Sequence, residues 1–217
     1  MNQELYDEIK KQLSPIFLKF YKTSGTYKKF GESTPQLSNR IQRTNQIGRD
    51  LVELQKLMTT KDIPLKYSGL MVAFSYLLRV EILATFFIDL TLLLLIDERV
   101  CLHLDPDDKH KFVRHASSLE DIESPSLSLY RKFDFLKTNK ITFFEDYIDR
   151  ELRNKIAHGD FIVDEDGKFY TISAKGNKNE IDLKEKLLQL DDFIEAILQV
   201  FVEELAKTDS LPVRPRD

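Results

Sequence analysis

The chain is poor in the residues that punctuate and cross-link small folds. It has one cysteine, Cys101, in 217 residues, which excludes an intramolecular disulfide and fits a reducing cytoplasm. Seven glycines and seven prolines are too few for an all-β fold with a turn at every strand end. The first residues, Met-Asn-Gln-Glu-Leu-Tyr-Asp-Glu, lack a basic stretch followed by an apolar one, so no signal peptide is expected. No apolar run is long enough for a membrane either. In the most apolar region, 66–99, the longest uncharged run is Tyr67 to Leu78, and Arg79, Glu81 and Asp89 interrupt the rest. A span needs roughly 18 or more apolar residues in succession. There is no internal repeat, no glycine-rich phosphate loop, and no low-complexity tract before the C-terminal tail.

What is present is helical periodicity and charge. At 42% hydrophobic and 31% charged residues, the composition is that of an ordinary soluble protein. Residues 3–22 read as a first helix, bent or restarted near Pro15. Residues 23–35 read as a loop. Gln36 to Met58 form a second helix with Leu37, Ile41, Ile47, Leu51, Leu54 and Leu57 as its stripe. Residues 66–99 read as a long helix, apolar on nearly every side, which must be covered by other helices or by a second subunit. Short helices are expected from Asp105 to His115 and from Ser124-Pro125 to Lys137. Thr142-Phe-Phe-Glu145 reads as a capping box that opens one continuous helix to Gly159, with Phe144, Ile148, Leu152 and Ile156 as its apolar stripe. Phe161–Val163 and Lys168–Ile172 alternate as a hairpin about Asp164-Glu-Asp-Gly167, and 174–180 reads as a polar loop. Asp182-Leu-Lys-Glu185 opens a last helix through Ala206, with Leu187, Leu190, Ile194, Ile197, Phe201 and Leu205 inward. The expected fold is therefore all-α: a helical bundle with one long central apolar helix and a small β-hairpin inserted before the last helix. It forms a single domain over 1–208, and 209–217 is a disordered tail.

The net charge of −4 argues against nucleic-acid binding by the whole surface. Its distribution is uneven: residues 10–49 carry +8 and the remainder −12. Phe17, Phe20, Tyr21, Tyr27 and Phe30 interleave with the lysines of the basic segment. Such rings stack on bases while lysines hold phosphates; equally, Phe17, Phe20 and Tyr21 have the spacing of a buried helix face. The run Cys101-x-His103-x6-His110-x4-His115 matches no usual zinc spacing, since His110 and His115 would lie about 140° apart on a helix. No metal and no cofactor are expected.

The chemistry-bearing stretch is Tyr147-Ile-Asp-Arg-Glu-Leu-Arg-Asn-Lys-Ile-Ala-His-Gly-Asp160. Counted from Leu152 at about 100° per residue, Arg153 lies roughly 100° round, Ala157 140°, Arg150 160°, Asn154 200° and His158 240°. Two arginines, an amide and an imidazole thus share the face turned from the helix's core, with Asn154 and His158 an i,i+4 pair. Ala157 among them lets another backbone approach. A histidine in the last turn, and basic residues before a capping glycine, are also favoured by the helix dipole alone.

The run Arg153-Asn-Lys-Ile-Ala-His158 resembles the Arg-x(4–6)-His signature of the HEPN superfamily (higher eukaryotes and prokaryotes nucleotide-binding domains), over residues 142–172 at most. The resemblance implies an all-helical, homodimeric protein, and in many members a metal-independent ribonuclease acting in toxin–antitoxin or antiviral systems. An antitoxin or nucleotidyltransferase is then a candidate partner. It implies that Arg153 and His158 are catalytic and that two copies of the motif line one cleft. From the helical wheel Asn154 is expected to join them as a catalytic residue and Arg150 and Lys155 to hold RNA, and from the basic segment Lys28 and Lys29 are expected to hold RNA as well. The alternative is a helical dimer that binds RNA, a nucleotide or a protein without cutting anything.

Overall fold

The computed structural model describes residues 2–22, 34–59, 62–95, 99–104, 115–124 and 127–209. Helix α1 (Gln3–Lys22) forms because Leu5, Tyr6, Ile9, Leu13, Ile16 and Phe17 recur on one face, and all of them are buried. Pro15 lies within it on the exposed side, and the helix continues through it. Packing of Ile16 and Phe17 outweighs the one lost backbone bond. Helix α2 (Thr34–Met58) buries Ile47 and Leu51, whereas Leu57, expected inward, is 48% exposed. The expected positions Leu37 and Ile41, the rings of Phe20, Tyr21, Tyr27 and Phe30, and both Lys28 and Lys29 lie outside the side chains described.

Helix α3 (Leu65–Leu94) has 30 residues, ending five before the expected limit of residue 99. It buries Val72, Ala73, Tyr76, Val80, Leu83, Phe87 and Leu90 among its neighbours. Tyr67 and Phe74 remain half exposed, so covering is not complete on every side. The expected helix from Asp105 to His115 falls mostly outside the described residues. Helix α4 (Leu119–Glu123) follows, closed at its start by a reciprocal box between Ser118 and Asp121. Helix α5 (Leu129–Thr138) starts at the cap Ser128, whose side chain accepts the Arg131 N–H, and not at Ser124-Pro125.

The stretch expected as one helix from Thr142 to Gly159 is two. Helix α6 (Phe143–Tyr147) stops at Ile148, which is extended at φ −107° and ψ 105°. Helix α7 (Arg150–His158) starts after Asp149, also extended. The capping box at Thr142 does not form, because Thr142 is itself α-helical and its side chain bonds no amide of the first turn. The true cap is Asp149, accepting from the Leu152 N–H at 2.9 Å. What stabilises the break is tertiary. The buried Tyr76 hydroxyl, from α3, accepts the Asp149 N–H at 3.2 Å and donates to the Asp149 carbonyl at 3.4 Å. Upstream, Phe143, Phe144 and Tyr147 pack on Phe193 at 5.0–5.6 Å between ring centroids. Gly159, left-handed at φ +77°, ends α7 as its position in sequence requires.

Strands β1 (Phe161–Val163), β2 (Phe169–Ile172) and β3 (Lys178–Ile181) form one antiparallel sheet in that order, with Val163 opposite Phe169 and Phe169 opposite Ile181. The hairpin is thus a three-stranded sheet, its third strand lying in the stretch read as a loop. Asp164 closes the first turn by accepting from the Asp166 and Lys168 N–H groups and from the Tyr170 hydroxyl. Gly167 at φ +79° and Gly69 of α3 let that turn approach the helix: a Cβ on Gly69 would meet the Gly167 carbonyl oxygen at 2.7 Å. Helix α8 (Leu183–Asp209) begins where Asp182 accepts the Lys184 and Glu185 N–H groups. It buries Leu190, Phe193, Ala196, Ile197, Val200 and Phe201 against α1 and α3, while Leu187 and Ile194 pack at the edge of this core. Two polar ties cross these interfaces. Arg79, 3% exposed, forks onto the Asp191 carboxylate. Glu203 accepts from both the Tyr6 hydroxyl and the Lys10 ammonium, which holds its carboxyl down to about 2.

Candidate active site on helix α7

The cap, the break and the glycine stop fix α7 as a nine-residue helix with Leu152 and Ile156 buried. The remaining side chains are therefore distributed about it in a set way. Arg153 turns toward α3: its Nη2 donates to Glu81 Oε1 at 3.0 Å, and its Nη1 donates to Asn154 Oδ1 at 3.3 Å. The opposite Glu81 oxygen lies 3.8 Å from Arg43 of α2. Arg153 Nε is buried and has no acceptor. Arg150, one turn earlier, stacks its guanidinium on Tyr130 at 4.9 Å and lies 5.9 Å from the Phe133 ring centroid. Arg150, Arg153 and Asn154 thus line one pocket of about 490 Å³ with Glu81, Tyr130 and Lys132.

His158 is not in that pocket. Five residues after Arg153, it points about 140° away and is exposed, its imidazole making no hydrogen bond to any described residue. Asn154 and Ala157 are exposed beside it. Asn154 bonds Arg153, and no hydrogen bond joins its side chain to that of His158. Lys155 is committed to Glu151 at 2.9 Å, an i,i+4 pair that holds the Glu151 carboxyl below its usual range.

Sequence reasoning missed Glu81, Lys132 and Tyr130. Glu81 was legible only as a charge interrupting an apolar stretch, and Lys132 and Tyr130 carry no local signature. The structure also brings together two of the histidines of the Cys101–His115 run. His103 and His115 face each other across an antiparallel bridge with ring centroids 4.7 Å apart, and the Ala116 N–H donates to the Leu102 carbonyl beside them. Cys101 is exposed, and His110 lies outside the described residues. Among the described residues no group of three or more histidine, cysteine or carboxylate side chains is placed to hold a metal ion. No described helix is long and apolar enough to cross a membrane. Compared with protein-family models, curated proteins and solved structures, the chain matches none.

Proposed function

We propose that the chain is an endoribonuclease of HEPN type, acting as a homodimer and without a metal ion. The observation that carries this reading is the exposed face of α7, which presents the side chains of Ala157 and His158 and, next to them, Asn154 bonded to Arg153. A small residue among polar ones suits close approach of a second α7 across a two-fold axis. The imidazole of one subunit then reaches a phosphate held by the arginines of either. His158 takes the 2′-hydroxyl proton or protonates the departing 5′-oxygen. The oxygen of the 2′-hydroxyl attacks phosphorus as the 5′-oxygen leaves, giving 2′,3′-cyclic phosphate and 5′-hydroxyl ends. An arginine stabilises the charge that builds on the phosphorane. DNA, lacking the attacking group, is not cut. A role in toxin–antitoxin or antiviral systems, in the cytoplasm and with an antitoxin or nucleotidyltransferase as partner, belongs to the same proposal.

One observation favours the alternative, a dimer that binds RNA or a nucleotide without cutting it: within a single chain His158 and the arginine pocket face different directions. The deciding experiment is incubation of a mixed RNA in EDTA with wild type, His158→Ala and Arg153→Lys, followed by analysis of product ends. Cyclic-phosphate ends from wild type alone support the nuclease. General acid–base groups contribute roughly 10²–10⁴-fold, so His158→Ala should fall by that order. Because His158 is exposed and unbonded, that variant should melt with wild type. RNA retained but uncut by a folded wild-type dimer overturns the nuclease in favour of the binder.

A further inference from the structure

The pocket between α3, the start of α5 and the first turns of α7 has features that strand scission at His158 does not require. Lys132 is half-buried there, its ammonium 5.2 Å from the Phe87 ring centroid, and that ammonium makes no hydrogen bond or ion pair with a described residue. Burial pushes its pKa down, and Arg153 adds to this while Glu81 opposes it. A half-buried cation without a counter-ion is costly to keep and gains much from an anion that arrives. Arg153, on the same wall, keeps its Nε buried without an acceptor. The positive end of the ten-residue helix α5 lines the pocket too. Ser128 satisfies the Arg131 N–H, which leaves the Leu129 and Tyr130 N–H groups without a described partner. Finally, the Tyr130 ring is 56% exposed and backed by the Arg150 guanidinium. Glu81 and Glu123 also line the pocket, but Glu81 is engaged by Arg153 at 3.0 Å.

We propose that this pocket is a nucleoside-phosphate subsite, with one phosphate group held by Lys132, Arg150 and the first amides of α5, and the base stacked on Tyr130. It deepens the reading above by placing one nucleotide of the strand. It rests on the anion-binding part of that reading and not on proton transfer by His158. Lys132 acts here by charge and Tyr130 by its ring, so the two roles separate experimentally.

The test is calorimetric titration of the full chain, at low salt, with adenosine 5′-monophosphate and with inorganic phosphate. Both should bind, the nucleotide roughly tenfold or more tightly through stacking. Lys132→Met should weaken both by about tenfold, Lys132→Arg should restore them, and Tyr130→Ala should reduce the nucleotide to the level of phosphate. Lys132→Met removes an unpaired half-buried charge, so it should melt at or above wild type, which separates lost binding from lost fold. Absence of binding by either ligand, or equal binding by wild type and Lys132→Met, overturns the subsite. RNA cleavage without nucleotide binding overturns the subsite alone, and nucleotide binding without cleavage in EDTA overturns the nuclease alone.

Discussion

Replacing Gly69 by alanine tests how α3 and the turn after α7 are held together. In a helix interior, alanine is ordinarily better than glycine by about 0.8–1 kcal/mol. Gly48 in α2 provides the reference, since a Cβ there meets nothing within 4 Å. Gly48→Ala should therefore stabilise by about 0.5–1 kcal/mol. At Gly69 the same methyl group would lie 2.6 Å from Val163 Cγ1 and 2.7 Å from the Gly167 carbonyl oxygen. The valine is stiff at χ1 and the carbonyl is backbone, so relief requires the β1–β2 turn to move off the helix. Overpacking of this kind costs about 1–3 kcal/mol and outweighs the helix gain. The two substitutions should thus differ in sign, with Gly69→Ala net destabilising by up to about 2 kcal/mol. Urea unfolding gives the free energies, and in a chain of this size 1 kcal/mol shifts Tm by about 2–4 °C. Gly69→Ala as stable as wild type or more so would refute the close packing of helix and turn. Because β1 follows α7 after two residues, Gly69→Ala should also lower RNA cleavage, while Gly48→Ala leaves it unchanged.

Acid sensitivity should centre on Glu203. Its folded pKa is depressed to about 2 by the Lys10 and Tyr6 hydrogen bonds, from an ordinary value of 4.5. Its stabilising contribution is then complete above pH 4.5 and lost as the pH falls toward 2, so Glu203→Gln should flatten the stability profile in that window; an unchanged slope in urea titrations refutes the assignment. Asp149→Ala removes the cap of α7 and should cost about 0.5–2 kcal/mol by urea unfolding. If Thr142 were the operative cap, Thr142→Ala would be the costlier of the two.

The sequence by itself determined the helical class, the positions Leu190, Ile197 and Phe201 on the buried face of α8, the turn at Asp164–Gly167 and the stop at Gly159. All rest on local chemistry: apolar spacing near the helical period, a glycine where φ is positive, a carboxylate that caps amides. It likewise determined the angular order of Arg150, Arg153, Asn154 and His158, because four side chains on one short helix have no freedom to reorder. Tertiary structure alone decided the rest. The split of 142–159 into α6 and α7 follows from the Tyr76 hydroxyl of α3, distant in sequence, bonding both backbone groups of Asp149. Strand β3 has the burial pattern of an exposed edge and no alternation of its own, so pairing with β2 defines it. Arg153 is paired by Glu81 of α3 and drawn into a pocket with Lys132 and Tyr130 of α5, none of which shares a spacing with it. Local periodicity sets which way a side chain leaves its own helix. Only packing brings its partners to meet it.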